Sequence, residues 1–209
     1  MESKMQTFIF DIDGTLIDTF NSSLTALKRA LHDVIGKNYT DDELVFHFGI
    51  TLEDALLNLK VDEKYYSEIS SKINDYYYRD SKRTTIFNGI EQMLENLSKN
   101  DVTIGIVTSK ERQEFDQDFK NLSITKYFKF VVCADDTINH KPSPDPIEKF
   151  IEITRSKKSN TIYIGDTIYD CKSAQGAGIK FGLATWGALD SNMKSDYFFT
   201  KPSDILRLI

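Results

Sequence analysis

Two acidic side chains stand two positions apart, directly after an apolar stretch near the start of the chain. The sequence Phe8-Ile-Phe-Asp11-Ile-Asp13-Gly14 places them where a buried strand is expected to end. Paired carboxylates can carry out general acid and base catalysis. Acids beside a glycine are also common in ordinary polar turns, so this pair alone does not decide between a turn and a catalytic site.

Polar residues follow the later apolar stretches as well. They are Thr108 and Ser109 after residues 102–107, Lys141 in a Pro-rich loop, and Asp166 and Asp170 after residues 161–164. Each has a purely structural interpretation when taken alone: Thr108 or Asp170 can cap a helix, and Lys141 can be a solvated loop lysine. Their order along the chain favours one shared site at the ends of several strands.

The elements that must hold these residues alternate along the second part of the chain. Hydrophobic periodicity predicts strands over 7–10, 102–107, 129–133, 161–164 and 179–183, and helices over 90–98, 111–121, 144–155 and 169–176. This alternation predicts an α/β fold with a doubly wound parallel sheet. Such sheets bind ligands beyond the carboxyl ends of their strands, where the polar residues stand.

A helical pattern occupies the stretch between the first and second predicted strands. Apolar residues at helical spacing predict three amphipathic helices, beginning near Leu24, Leu52 and Tyr66, and a capping box at Thr40 indicates a fourth. We therefore expect an inserted α-helical domain over residues 18–82, within a core domain formed by residues 1–17 and 83–209.

Composition excludes several classes of protein. The chain has 209 residues, of which 40% are hydrophobic, so it can bury a full core. Its net charge of −6 disfavours a general nucleic-acid binder. Apolar runs of about six residues fall short of the roughly 20 that span a bilayer. No export signal is evident and the two cysteines are far apart, so we expect a cytoplasmic protein without a membrane partner.

The motifs together resemble those of the haloacid dehalogenase superfamily of phosphotransferases. The matching stretches are Val-Thr108-Ser-Lys110, His140-Lys141-Pro-Ser-Pro-Asp-Pro-Ile147 and Gly-Asp166-Thr-Ile-Tyr-Asp170, after the Asp11-Ile-Asp13 motif. They are most similar to the group that contains phosphoglycolate phosphatases and related pyrophosphatases, although Ser109 stands where Asn is frequent. The resemblance implies a Rossmannoid core with strand order 5-4-1-2-3 and a helical cap inserted after the first motif.

The resemblance also implies roles for the polar residues. Asp11 would attack phosphorus and form an aspartyl-phosphate, and Asp13 would protonate the leaving oxygen and later activate water. Thr108, Ser109 and Lys141 would bind the phosphate oxygens and neutralise their charge.

A magnesium ion is implied by the same resemblance. Its ligands would be the Asp11 carboxylate, the main-chain carbonyl of Asp13 and the Asp166 carboxylate. Asp170 would order water ligands of the ion or would orient Lys141, with helix capping as its structural alternative.

The function implied is a Mg²⁺-dependent phosphatase for a small phosphorylated metabolite such as 2-phosphoglycolate. The cap would set specificity and close about hinges near 15–20 and 80–86. A pyrophosphatase or nucleotidase of the same group, and a β-phosphoglucomutase-type phosphotransferase, remain open. A phospho-receiver module is disfavoured because its aspartate lies on the middle strand, and an inactive binding protein is disfavoured by the intact motifs. The sequence does not distinguish a monomer from a homodimer.

Overall fold

The protein is built on a parallel sheet with helices on both faces. The computed structural model describes residues 4–45, 47–80 and 85–209. Within these ranges the strands are β1 (Thr7–Phe10), β2 (Ile17–Asp18), β3 (Thr85–Ile86), β4 (Thr103–Val107), β5 (Phe130–Val132), β6 (Thr161–Gly165), β7 (Lys180–Ala184) and β8 (Tyr197–Phe199). The helices are α1 (Phe20–Ile35), α2 (Asp41–Val45), α3 (Leu52–Asn58), α4 (Tyr66–Asp80), α5 (Ile90–Ser98), α6 (Arg112–Asp118), α7 (Asp145–Thr154) and α8 (Ile168–Ala177).

The order of strands in the main sheet is β5-β4-β1-β6-β7-β8, and every neighbouring pair is parallel. The predicted order 5-4-1-2-3 is confirmed, because its five strands are β7, β6, β1, β4 and β5 in that sequence. The strand β8 was not predicted and lies beside β7 at the edge of the sheet. Its pattern is weak, since it has three residues and the side chain of Phe198 is exposed.

The core has two apolar layers, one on each face of the sheet, and successive side chains of β1 point alternately into them. Phe8 and Phe10 pack into the layer that includes residues of α5 and α6, and Ile9 packs into the layer that includes residues of α7 and α8. Successive strand side chains point to opposite faces, so a strand that is buried on both faces must be apolar throughout. The uninterrupted apolar run of β1 has this cause, and it ends at Asp11.

The helices α1 to α4 pack around an apolar cluster of their own, formed by residues between Phe20 and Tyr77. The short antiparallel pair of β2 and β3 joins Ile17 to Ile86 at the base of this helical segment. The predicted helices of this segment are present, with α2 as the fourth. The expected domain boundaries at 17–18 and 82–83 stay a prediction, and the second lies outside the described residues.

No helix in the described part of the chain combines the length and the hydrophobicity that a membrane span requires.

Candidate active site

The carboxyl ends of β1 and β6 bring together acids that are far apart in the sequence. Asp11 follows β1, Asp166 follows β6, and Asp170 lies in the first turn of α8. All three are buried, and one carboxylate oxygen of each lies within 4.8 Å of the other two. The parallel register of β1 and β6 causes this, because Phe10 is paired with Ile164 and the two strands end together.

The ammonium group of Lys141 lies between two of these acids. Its Nζ is 3.0 Å from Asp11 Oδ1, 2.7 Å from Asp170 Oδ1 and 3.1 Å from the Tyr163 hydroxyl oxygen. An ammonium has three N–H donors, so these three acceptors use all of them. Lys141 therefore holds Asp11 in this structure, and it must exchange a partner to contact a phosphate oxygen.

Tyr163 is a member of this site that sequence reasoning missed. It lies on β6, is fully buried, and its hydroxyl is 2.8 Å from the Val107 carbonyl oxygen and 3.0 Å from Asp170 Oδ1. A tyrosine in a buried strand is usually taken for a core residue. The only signal in the sequence was the tyrosine hydroxyl group between two isoleucines of the strand Thr-Ile-Tyr-Ile-Gly.

Asp170 both caps a helix and contacts Lys141 in the structure. Its Oδ2 accepts from the backbone N–H of Thr167 at 3.0 Å and from the Thr167 hydroxyl at 2.6 Å, in a capping box at the start of α8. Its Oδ1 accepts from Lys141. The helix cap therefore fixes the carboxylate that orients the lysine.

The buried charges of this group do not balance. Three carboxylates face one ammonium, and burial raises the pKa of Asp11 to about 7 against the opposing charge of Lys141. Burial and the charges of Asp170 and Asp11 raise the pKa of Asp166 well above its ordinary value. Ionised, the group has a net charge of −2. Its donors are oxygen atoms, which hard divalent cations such as Mg²⁺ prefer, so the residues fit such an ion in both charge and chemistry.

The turn after β1 is packed tightly against Asp166. Gly14 has φ +76°, and a Cβ atom there would lie 2.2 Å from Asp166 Oδ2. The Thr15 hydroxyl donates to Asp166 Oδ1 at 2.8 Å. On the other side, Trp186 Nε1 donates to the Thr15 carbonyl at 2.9 Å, and a Cβ atom at Gly187 would lie 1.7 Å from the Gly14 carbonyl oxygen. Only glycine fits at both positions, so the segment after β7 supports this turn.

Asp13 is not one of the three clustered acids, and its side chain remains 34% exposed. Its Oδ1 accepts from the Thr19 hydroxyl at 2.7 Å, and its Oδ2 is 3.3 Å from Lys110 Nζ. Lys110 also lies 2.8 Å from Asp118 Oδ2. Burial lowers the pKa of Lys110, but the charges of Asp13 and Asp118 outweigh it and keep that pKa well above its ordinary value. The lysine is therefore charged, and sequence reasoning gave it no role.

Thr108 and Ser109 follow β4 at the rim of the site. Thr108 does not cap α6, because Glu111 is the N-cap of that helix. The Thr108 oxygen accepts from the backbone N–H of Lys110 at 3.2 Å, and its hydroxyl donates to no group in the described parts of the chain. Ser109 donates to the carbonyl of Gly49 at 3.0 Å and so contacts the helical segment.

A cavity of about 170 Å³ lies between these strand ends and the helical segment. Asp11, Asp13 and Thr108 line it from the sheet, and His47 and Phe48 line it from the helices. His47 Nδ1 is buried and has no hydrogen-bond partner among the described residues, and burial lowers the pKa of its imidazole. The cavity therefore has room for a small molecule above Asp11.

Comparisons with known proteins agree with this geometry. A sequence model of the family described as haloacid dehalogenase-like hydrolase matches residues 8–184. A crystal structure of a "putative phosphoglycolate phosphatase" from Lactobacillus plantarum superposes with a TM-score of 0.89 at 30% identity, covering 99% of this chain and 100% of that one.

Two curated relatives also match over nearly their whole length. A "putative pyrophosphatase PpaX" from Caldanaerobacter subterraneus is 29% identical, covering 99% of this chain and 95% of the relative. The pyrophosphatase PpaX of Bacillus anthracis is 26% identical, covering 99% and 97%.

Proposed function

The chain belongs to the haloacid dehalogenase-like hydrolase family, and on that premise we propose that it is a Mg²⁺-dependent phosphatase. It hydrolyses a small phosphomonoester through an aspartyl-phosphate intermediate on Asp11. The observation that carries this proposal is the buried Asp11 carboxylate, held by Lys141 at 3.0 Å beside two further acids and open to a cavity.

The reaction proceeds in two displacements at phosphorus. An Asp11 carboxylate oxygen bonds to phosphorus while the bond from phosphorus to the leaving oxygen breaks, and the leaving oxygen takes a proton from Asp13. Water then attacks the same phosphorus atom and gives a proton to Asp13. The bond between phosphorus and Asp11 breaks, which releases inorganic phosphate and restores both residues.

Asp11 and Asp166 would hold the magnesium ion, together with the main-chain carbonyl of Asp13. Asp170 lies beside both carboxylates and would order water ligands of the ion. When bound, the ion supplies positive charge between the carboxylate nucleophile and the anionic phosphate. The net negative charge of the buried acids supports this part of the proposal.

Thr108, Ser109 and Lys141 are the residues proposed to stabilise the phosphate group. The available hydroxyl hydrogen of Thr108 supports a direct contact with a phosphate oxygen. Lys141 has all its donors engaged with protein groups, so its contribution is to fix Asp11 and to add positive charge beside the phosphate. Ser109 has to leave the Gly49 carbonyl before its hydroxyl can donate to phosphate.

The helical segment acts as a cap that admits substrate and then excludes bulk water. The predicted first hinge, near 15–20, includes Thr19, which contacts Asp13. The predicted second hinge, near 80–86, lies partly outside the described residues. The contact of Ser109 with Gly49 supports a cap that reaches the opening of the site.

The substrate class is a small phosphorylated metabolite, with 2-phosphoglycolate as the first compound to test. The names of the relatives make inorganic pyrophosphate the second, and a nucleoside monophosphate and β-glucose 1-phosphate cover the nucleotidase and mutase alternatives. We propose a cytoplasmic enzyme, monomeric or homodimeric, that needs no nucleic-acid or membrane partner.

Phosphate release from a panel of these compounds, with Mg²⁺ and with EDTA, tests the function. We expect release that requires the metal and that Asp11→Asn abolishes. Steady-state turnover retained by Asp11→Asn contradicts covalent catalysis, and isomerisation of β-glucose 1-phosphate faster than phosphate release identifies a mutase instead.

A further inference from the structure

A row of polar side chains connects Asp13 with the last turn of α4. Lys110 Nζ lies 3.3 Å from Asp13 Oδ2 and 2.8 Å from Asp118 Oδ2. The other Asp118 oxygen is 2.7 Å from the hydroxyl of Tyr78, which is also 2.7 Å from Gln117 Oε1. The row runs from the proposed active site, through α6, into the helical cap.

Burial makes the middle of this row rigid. The side chain of Lys110 is 15% exposed and that of Asp118 is 5% exposed. A buried ammonium or carboxylate that loses its partner is strongly destabilised, so each holds the other in place. Both oxygens of Asp13 have partners, namely Thr19 on one side and Lys110 on the other. The orientation of the Asp13 carboxylate therefore depends on where Lys110 is held.

We propose that Lys110 is a positioning residue for Asp13, and that its own position is fixed by Asp118. Tyr78 anchors Asp118 from α4, so the position of the cap helix affects the proton-donating carboxylate. This inference rests on the proposed phosphatase function. It adds a residue that transfers no proton and does not contact phosphorus, but determines where the proton donor stands relative to the leaving oxygen.

The test uses two substrates that differ in their need for a proton donor. The leaving group of p-nitrophenyl phosphate departs as a weak base, whereas that of n-propyl phosphate is an alkoxide that needs protonation. The measured quantity is kcat/KM, which covers binding and the first displacement. For Lys110→Met we expect a loss of about tenfold or more with n-propyl phosphate, and of less than about threefold with p-nitrophenyl phosphate.

Further variants separate positioning from general damage to the fold. Lys110→Arg keeps the charge and should restore most of the n-propyl phosphate activity. Tyr78→Phe should show the same unequal losses at smaller size. Tyr76→Phe is the matched control, since it removes a hydroxyl from the same helix that donates to Asp33, away from the site, and we expect it to change neither value.

Circular dichroism and thermal unfolding verify that each variant is folded. If Lys110→Met does not fold, Asp118→Asn replaces it in the test. We expect Asp118→Asn to show the same selective loss with n-propyl phosphate. Equal losses with both substrates, or no loss with either, overturn the positioning role. These outcomes differ from failure of the proposed function, in which the wild-type protein releases phosphate neither from these two substrates nor from the panel of metabolites, and the positioning role falls as well.

Discussion

Replacing the proposed nucleophile should stabilise the metal-free protein. In the structure, Asp11 is buried beside Asp170 and Asp166, with one ammonium among three acids. The pKa of Asp11 is raised from 3.8 to about 7, primarily by burial. At about 1.4 kcal/mol per pKa unit, ionising Asp11 costs about 4 kcal/mol more in the folded protein than in the unfolded chain.

Asp11→Asn removes this cost, which already includes the attraction of Lys141, to the extent that an amide fits where a protonated carboxyl group fits. We therefore expect a net gain of roughly 1–3 kcal/mol in the free energy of unfolding at pH 7, and an increase in melting temperature of roughly 5 °C. The gain should depend on pH. Because the folded pKa exceeds the unfolded one, the unfolded chain releases the proton first, and the wild type loses stability as pH rises from about 4 to about 7.

Thermal and urea unfolding in EDTA, between pH 4 and pH 8, measure this difference. Asp101→Asn, at an exposed position outside the site, is the control and should leave stability unchanged. A variant Asp11→Asn that is no more stable than the wild type at pH 7, or whose advantage does not grow with pH, would refute the reasoning from buried charge.

Three further predictions concern the same region. Millimolar Mg²⁺ should raise the melting temperature of the wild type more than that of the nucleophile variant, and equal shifts contradict the proposed ligand set. Tyr163→Phe should cost about 1.5–3 kcal/mol in urea unfolding, because a charged donor and a buried carbonyl lose their partner, whereas Tyr197→Phe should cost little. Gly14→Ala should lower activity at least about a hundredfold, because the added Cβ atom would lie 2.2 Å from Asp166 Oδ2. Gly36→Ala is the control, since Gly36 has φ +68° but open space around it. We expect that variant to lose only about 1 kcal/mol of stability and to keep its activity.

The core of the fold could be predicted because burial dictates its sequence pattern. Periodicity predicts a helix over 90–98, and α5 occupies Ile90–Ser98 with four buried apolar residues on one face. The strand β8 was missed because its central side chain, Phe198, is exposed, so the segment lacks the burial pattern of the strands inside the sheet. The pair of β2 and β3 has two residues in each strand and depends on contact between distant parts of the chain, which periodicity does not report.

The candidate site could be predicted in part for a similar reason. The strand order implied by the resemblance places the ends of the first and fourth predicted strands side by side, and so predicts that Asp11 and Asp166 are neighbours. Other parts of the site depend on contacts between side chains of different elements. Ser109 contacts the helical segment, Tyr163 contacts Lys141, and Lys110 contacts Asp13. Sequence spacing carries no information on which hydroxyl or ammonium turns toward a given carboxylate.

The support of the Gly14 turn by the segment after β7 has a consequence for synthesis of the protein. A ribosome releases the amino-terminal strand first, yet the indole that donates to Thr15 is encoded 171 positions later. Until that stretch has left the exit tunnel, the nascent polypeptide carries Asp11 without the support of the turn that packs against Asp166. The turn at Gly14 therefore gains this support only after translation has passed Trp186 and that residue has left the tunnel.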